Sequence, residues 1–553
     1  MRKITLFFCA VLLLISAGFF DRSKTYDVVI KSGHIYDGSG SPSYVADIGI
    51  KKGRIAAIGN LKPDADLIIN AKGLAVAPGF INMLSWANES LLQDGKSQSD
   101  IRQGVTLEIM GEGWSMGPSP GKWDTLAEYL EYLVKKGVST NVASFVGAMN
   151  ARVYAVGYQD RQATRQELNQ MRKFVAKAMR EGALGVSSAL IYAPGFYATT
   201  KELTALAEVA SRFGGMYISH IRSEGNALLE ALDEFITIAR KANVTAELYH
   251  MKVAGKSNWH KFNDMIEKIE KARAEGLKIT ANMYTYTAGL TGLNAAMPPW
   301  VQEGGHEAWV QRLKDPKIRK SLLKEMTTPT NEWENLFLLA DKPENVLLVG
   351  FKTASLKHLT GKTLAEVARM RGKSPAETAI DLVIEDNSRV GTVYFLMSEE
   401  NVKRQIELPW VSFCSDAASL APEGVFLKSN PHPRAYGSFA RLLGKYVRQE
   451  KVITLAEAIR RLTWLPADNL KLDRRGRLEK GYYADIVVFD PDTIIDHATF
   501  EKPHQYSTGM LHVFVNGTQV LKDGEHTGAK PGRVVRGPGW SSPRRSPITQ
   551  PEN

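Results

Sequence analysis

His220 and His250 each close an apolar, strand-like segment, Met216-Tyr217-Ile218-Ser219 before the first and Thr245-Ala246-Glu247-Leu248-Tyr249 before the second. A lone histidine after a strand is ordinarily a packed or hydrogen-bonded core residue. Two in successive strand–helix units read as metal ligands, because adjacent strands of a barrel lie about 4.8 Å apart and side chains projecting from both ends can meet on one ion. Asp416, at the end of Val411-Ser412-Phe413-Cys414-Ser415, offers a carboxylate able to ligate a metal or act as a general base. Its plainer reading is a helix N-cap for the segment beginning at Ala417. Glu112 ends another strand, Leu107-Glu108-Ile109-Met110, between Gly111 and Gly113, where the backbone can turn sharply. A surface-loop glutamate is the plainer alternative there.

These groups need a scaffold that brings strand ends together. Leu168, Met171, Val175, Ala178 and Met179 recur at helical spacing before Gly182, and Ala183-Leu184-Gly185-Val186 is the next strand. Thr199 and Glu202 form a capping box ahead of Leu203 and Leu206, and Leu228, Leu232, Phe235 and Ala239 stripe the helix after His220. Repeated βα units imply a parallel sheet, and a middle of this length (residues 77–465) suits an α/β fold of the (β/α)8 TIM-like barrel type, in which catalytic residues stand at the C-terminal ends of strands. Residues 21–76 and 466–532 are instead all-β, with turns at Lys51-Lys52-Gly53 and Asn516-Gly517, and together predict a small β-sandwich built from both chain ends. Residues 290–390, with Met297-Pro298-Pro299-Trp300, read as an insertion capping the barrel mouth, and 533–553 as a disordered tail.

The 553 residues, 44% hydrophobic and 23% charged, lie close to globular averages and exclude both a disordered chain and a polytopic membrane protein. Met1-Arg2-Lys3 followed by the apolar run Ile4 to Phe20 reads as a cleaved export signal over 1–20, placing the protein in the periplasm or outside the cell; an uncleaved membrane anchor is the competing reading. Without that segment only Cys414 remains, so neither a disulfide nor a thiolate metal cluster is expected. The net charge of +11 comes from scattered Lys and Arg with no nucleic-acid motif, which predicts a solvated basic surface and a small-molecule rather than nucleic-acid partner.

The chain after the signal resembles the N-acyl-D-amino-acid deacylases, the D-aminoacylase branch of the amidohydrolase superfamily. The resemblance is carried by Pro78-Gly79-Phe80-Ile81, Gln103-Gly104-Val105-Thr106, Ser219-His220-Ile221-Arg222-Ser223-Glu224-Gly225, Tyr249-His250-Met251-Lys252, Pro431-His432-Pro433-Arg434-Ala435-Tyr436-Gly437 and the closing Gly481 to Asp490. It implies a zinc-activated water that cleaves the amide of an N-acyl-D-amino acid. By position, His220 and His250 match the metal-binding histidines, Asp416 the catalytic aspartate, Lys252 and Arg434 the groups holding the substrate carboxylate, and Tyr192 and Tyr284 further substrate contacts. Plainer readings are salt-bridge cations for Lys252 and Arg434 and core aromatics for the tyrosines.

Two departures from the family pattern fall at the metal site. The family's His-x-His is Leu84-Ser85-Trp86 here, and its cysteine ligand falls at Glu112 when Gly113-Trp114-Ser115 is aligned with the family's Gly-Phe-Ser. A family serine is Leu290 here, a side chain with no hydroxyl for that polar substrate contact. The resemblance then implies a His2Glu set, Glu112, His220 and His250, with Asp416 as a further candidate ligand, holding one Zn2+ or another divalent ion with a position open for water. A catalytically degenerate barrel that binds an acylated amino acid, and a cyclic-amide hydrolase or D-amino-acid dipeptidase, are the alternatives. Lys252 and Arg434 discriminate: facing the cavity they favour a substrate with a free carboxylate, and paired with surface acids they do not.

Overall fold

The structure, a computed structural model, describes residues 24–119 and 121–540. The expected export signal therefore lies outside the described residues. Among those described, no helix is long and apolar enough to cross a membrane.

Eight strands form the barrel. In chain order they are Phe80–Asn82, Val105–Met110, Asn141–Ser144 continuing as Val146–Gly147, Gly185–Ala189, Met216–His220, Ala246–Leu248, Ile279–Met283 and Val411–Phe413. Neighbours pair in parallel, with Ala189 opposite His220, Leu248 opposite Ala281 and Met283 opposite Phe413. The eighth strand returns to the first through the Met83 N–H on Phe413 O (3.4 Å), the Asp416 N–H on Leu84 O (2.9 Å) and a parallel bridge between Ser85 and Ala417. That closure joins residues more than 300 positions apart in sequence.

The surrounding helices begin where their caps demand. Thr125, Thr164 and Thr199 each accept the backbone N–H three residues on, and Glu128, Glu167 and Glu202 reach back, which satisfies N–H groups that have no partner within the helix. Arg165–Glu181 ends at Gly182, whose φ of 106° costs glycine no steric strain. Strand alternation sorts the side chains: Tyr217 packs outward on Phe235, whereas Met216 and Ile218 face the interior cluster with Leu107 and Ile109. The same period of two turns His220 inward.

Both chain ends meet in one nine-stranded sheet. Strand Ala75–Pro78 pairs antiparallel with Ile486–Phe489 and parallel with Tyr26–Ile35, burying Val28, Ile30, Ile48, Val76, Val488 and Phe514 together. The N-terminal β-region thus runs to Pro78. Asn516 (φ 50°) and Gly517 (φ 81°) make the hairpin between Met510–Val515 and Thr518–Lys522. The expected insertion contains a three-stranded antiparallel sheet, Ala288–Gly292, Gly391–Phe395 and Val346–Gly350, that brackets its helices.

The tail requires a correction. Residues 533–540 are laid along the barrel: the Val142 N–H donates to Arg533 O (3.0 Å), the Val535 N–H to Val142 O (2.9 Å) and the Gly537 N–H to Gly182 O (2.8 Å). These main-chain bonds, and Arg536 on Glu131 (2.6 Å), supply order that the Pro/Arg/Gly-rich composition does not announce. Residues 541–553 lie outside the described residues.

Candidate metal centre

Glu112 leaves the second strand between two glycines that no other residue could replace without a shift. Gly111 (φ 99°) would place a Cβ 2.4 Å from Phe145 O, and Gly113 (φ 63°) would place one 2.7 Å from Ala189. The resulting kink aims the carboxylate across the barrel axis. Glu112 Oε1 lies 3.2 Å from His220 Nδ1 and 2.9 Å from His250 Nε2, and all three residues are buried. His250 sits two residues beyond its strand with φ at 32°, a left-handed backbone strained for a ring-bearing residue. The Asn282 side chain holds that conformation by accepting the His250 N–H at 2.8 Å.

A second carboxylate completes the cluster. Glu224 Oε1 is 2.7 Å from Lys252 Nζ and 3.1 Å from His250 Nδ1, and Glu224 Oε2 is 3.6 Å from His220 Nε2. Lys252 Nζ is also 2.6 Å from His250 Nδ1. Burial and the Lys252 ammonium oppose a charge on His250, but Glu224 and Glu112 outweigh them and push its pKa up to about 9. Burial likewise opposes charge on Glu112 and Glu224; His250 and His220 hold the first well below the carboxylate range, and Lys252 with the two imidazoles holds the second there.

Asp416, three residues past the eighth strand, is also left-handed (φ 47°) and does not cap a helix. Its Oδ2 lies 2.8 Å from Arg434 Nη1 and its Oδ1 3.2 Å from Trp86 Nε1. Those contacts keep it out of the cluster of donor atoms formed by Glu112, His220 and His250, where it was expected as a further ligand. Burial raises its pKa despite Arg434 and His250, with Glu112 adding to the rise. The Arg434 ion pair is poorly angled for a hydrogen bond, which leaves the hydrogens on its Nε and Nη1 unclaimed. Its guanidinium stacks 4.5 Å over Tyr284.

All eight expected site residues line one cavity of about 600 Å3. Lys252 and Arg434 face that space and pair with buried site acids, not surface acids. Tyr192 donates to Thr291 Oγ1 at 2.9 Å. Leu290 cannot offer the hydroxyl of the family's serine, and Thr291 supplies one a residue further along, where it also accepts from Arg389 Nη2 (2.8 Å). The insertion thus contributes to the cavity wall. Two residues that touch this cluster are not picked out by the sequence. Glu224 lies in the segment Ser219 to Gly225 with no role assigned from sequence, although an acid four residues past His220 and ahead of the helix beginning at Leu228 is the signal that marks it. Trp86 registered only as a missing histidine.

The donor set fits a divalent ion. Three donor atoms of the types zinc prefers lie within 4.8 Å of one another, and the far nitrogen of His250 faces a carboxylate, the arrangement that orients a ligating imidazole. The buried Nε2 of His220 finds no hydrogen-bond partner.

An eight-stranded barrel whose strand ends converge on histidines and carboxylates defines the class of metal-dependent hydrolases. A family model described as Amidohydrolase family matches residues 67–521. The D-aminoacylase of Alcaligenes xylosoxydans xylosoxydans is 33% identical over 535 residues, spanning 93% of this chain and 98% of its own. The solved N-acyl-D-glutamate deacylase of Bordetella bronchiseptica, complexed with zinc and a phosphonate mimic of the tetrahedral intermediate, superposes with a TM-score of 0.78 at 29% identity, covering 92% of this chain and 99% of that one. A solved D-aminoacylase described as having a binuclear metal centre, with one-metal activation and second-metal attenuation, superposes at 0.77 with 30% identity over 92% and 100% of the two chains. The chain belongs to the amidohydrolase family, and within it falls with the D-aminoacylases.

Proposed function

We propose that the protein hydrolyses the amide bond of N-acyl-D-amino acids with one divalent ion, zinc, held by Glu112, His220 and His250. The observation that supports this most directly is the meeting of His220 Nδ1 and His250 Nε2 on one oxygen of Glu112 in the same cavity as Asp416. When bound there, zinc lowers the pKa of water to about 7 and polarises a carbonyl.

The chain's own residues do the rest. Asp416 accepts the proton of the attacking water and returns one to the leaving amine nitrogen, which departs poorly as an anion; its raised pKa brings the carboxylate nearer the working pH. Arg434, with unclaimed hydrogens on Nε and Nη1, holds the substrate carboxylate, and Lys252 adds positive charge beside it. Tyr284 and Tyr192 wall the substrate, and the Trp114–Tyr158 pair (6.4 Å between centroids) lends an apolar surface. Glu224, beside His250 Nδ1, would keep the Nε2 of that ring turned toward Glu112 and available to hold a metal. The basic start and apolar run of residues 1–20 support an exported protein.

Purified protein is expected to hold one equivalent of zinc and to hydrolyse N-acetyl-D-amino acids in preference to their L-enantiomers. Glu112→Ala or His250→Ala should lose metal and turnover together. Asp416→Asn should bind a substrate analogue normally while kcat falls by about 10²–10⁴-fold. A near-normal rate for Asp416→Asn removes it from the mechanism, whereas wild-type protein that binds N-acyl amino acids without cleaving them is a binder and overturns the hydrolase reading.

A further inference from the structure

Trp86 follows the first barrel strand and is held by its own backbone N–H and by the anchoring of its neighbour Ser85. Its backbone N–H donates to Ala417 O (2.9 Å), the Ser85 N–H donates to Ile109 O (2.8 Å), and Ser85 Oγ donates to the buried Glu108 Oε2 (2.6 Å). So placed, the indole Nε1–H points between two carboxylates from different strands, 2.9 Å from Glu112 Oε2 and 3.2 Å from Asp416 Oδ1. One hydrogen is thus shared by the two acids.

We infer that Trp86 is a positioning residue that makes this centre a one-ion site: its indole N–H occupies the bridging place between Glu112 and Asp416 that a second cation would take. The inference rests on the proposed metal site and extends it. Two adjacent carboxylates invite a divalent ion, but an indole nitrogen donates a hydrogen and has no lone pair to offer a metal. The bridge also divides the labour of Glu112, anchoring Oε2 so that Oε1 stays on the two imidazoles. Charge balance points the same way. Glu112, Glu224 and Asp416 bring three negative charges against Lys252 and Arg434, so one divalent ion leaves a single positive charge, whereas two would leave three in a buried site where uncompensated charge is costly. A solved D-aminoacylase with a binuclear centre is described as activated by one metal and attenuated by the second.

The test is zinc titration of the full-length protein, with stoichiometry from equilibrium dialysis and elemental analysis, and affinity from competition with a chelator. Wild type should saturate at one equivalent and keep its turnover as zinc is raised to millimolar concentration. Trp86→His, which presents a lone pair beside the same two carboxylates, should take up a second equivalent. Trp86→Phe, which keeps an aromatic ring and deletes the N–H, should hold its single ion 10–100-fold more weakly, the usual consequence of losing a partner that orients a ligand. Melting temperatures report on folding of each variant, and either variant alone suffices for the comparison. Two equivalents in wild type overturn the inference while leaving the hydrolase reading intact. Variants matching wild type in both stoichiometry and affinity also overturn it. A protein that binds no zinc removes the metal reading and this inference with it.

Discussion

Replacing Glu224 by glutamine tests whether the buried acid that sequence reasoning passed over organises the metal centre. The glutamine keeps the length and one carbonyl oxygen but removes the negative charge that faces Lys252 Nζ at 2.7 Å, His250 Nδ1 at 3.1 Å and His220 Nε2 at 3.6 Å. Lys252, only 7% exposed, is then left with the His250 nitrogen and the face of Tyr284, 5.6 Å away. Breaking a buried ion pair from one side costs about 3–5 kcal/mol, and because the amide still accepts a hydrogen bond the loss should fall near about 3 kcal/mol. Independently, removing the acceptor that orients His250 should weaken zinc 10–100-fold, about 1.4–2.8 kcal/mol in binding free energy. Urea unfolding of the metal-free protein measures the first quantity and chelator competition the second. Adding Lys252→Met to the variant should return much of the stability, since the stranded cation is gone, but none of the metal affinity. Glu224→Gln within about 0.5 kcal/mol of wild type, with unchanged zinc affinity, would refute the role assigned to this acid and leave Lys252 free to serve the substrate carboxylate alone.

Three further outcomes concern a buried acid, a kink and a helix cap. Burial pushes Glu247 up to about 7, even with Asn282 and Thr280 donating to it. A folded pKa above the unfolded value means the native state holds a proton the unfolded state has released, so this contribution to stability is full below about 4.5 and is lost as pH rises to about 7. Glu247→Gln should therefore gain on wild type by up to about 3 kcal/mol between pH 5 and pH 8 in paired urea titrations, and parallel curves would exclude it. Gly111→Ala forces a left-handed φ and a 2.4 Å contact with Phe145 O, so it should cost at least about 2 kcal/mol and release the metal by moving Glu112; full zinc occupancy would contradict the kink argument. Thr164→Ala deletes the cap on Arg165–Glu181, remote from the cavity, and should lower stability by about 1 kcal/mol with kcat/KM unchanged.

Much of this protein is legible residue by residue. Thr164 with Glu167 and Thr199 with Glu202 announce helix starts because the partners are three residues apart, and Gly182 and Asn516-Gly517 announce stops and turns because only certain residues tolerate a left-handed backbone. The two histidines at strand ends are visible for the same reason: alternation along a strand is a local property. Glu112 is visible as a kink between glycines, and its place in a ligand set only through family likeness. The packing of Arg533 to Trp540 is not visible, because its main-chain bonds go to Val142 and Gly182, hundreds of residues away, and leave no trace in composition.

What the amino-acid sequence determined by itself is the alternation of strand and helix, the all-β ends and the kinds of donor at the strand ends, since these depend on periods of two and 3.6 residues and on caps within one turn. Only the tertiary structure decided that Asp416 pairs with Arg434 outside the Glu112, His220 and His250 cluster, that Glu224 faces both Lys252 and His250, and that the Trp86 indole N–H bridges Glu112 and Asp416. Closure of the barrel brings residue 86 to residue 416, and the strengths and directions of buried charges depend on which groups that closure places within about 4 Å of one another.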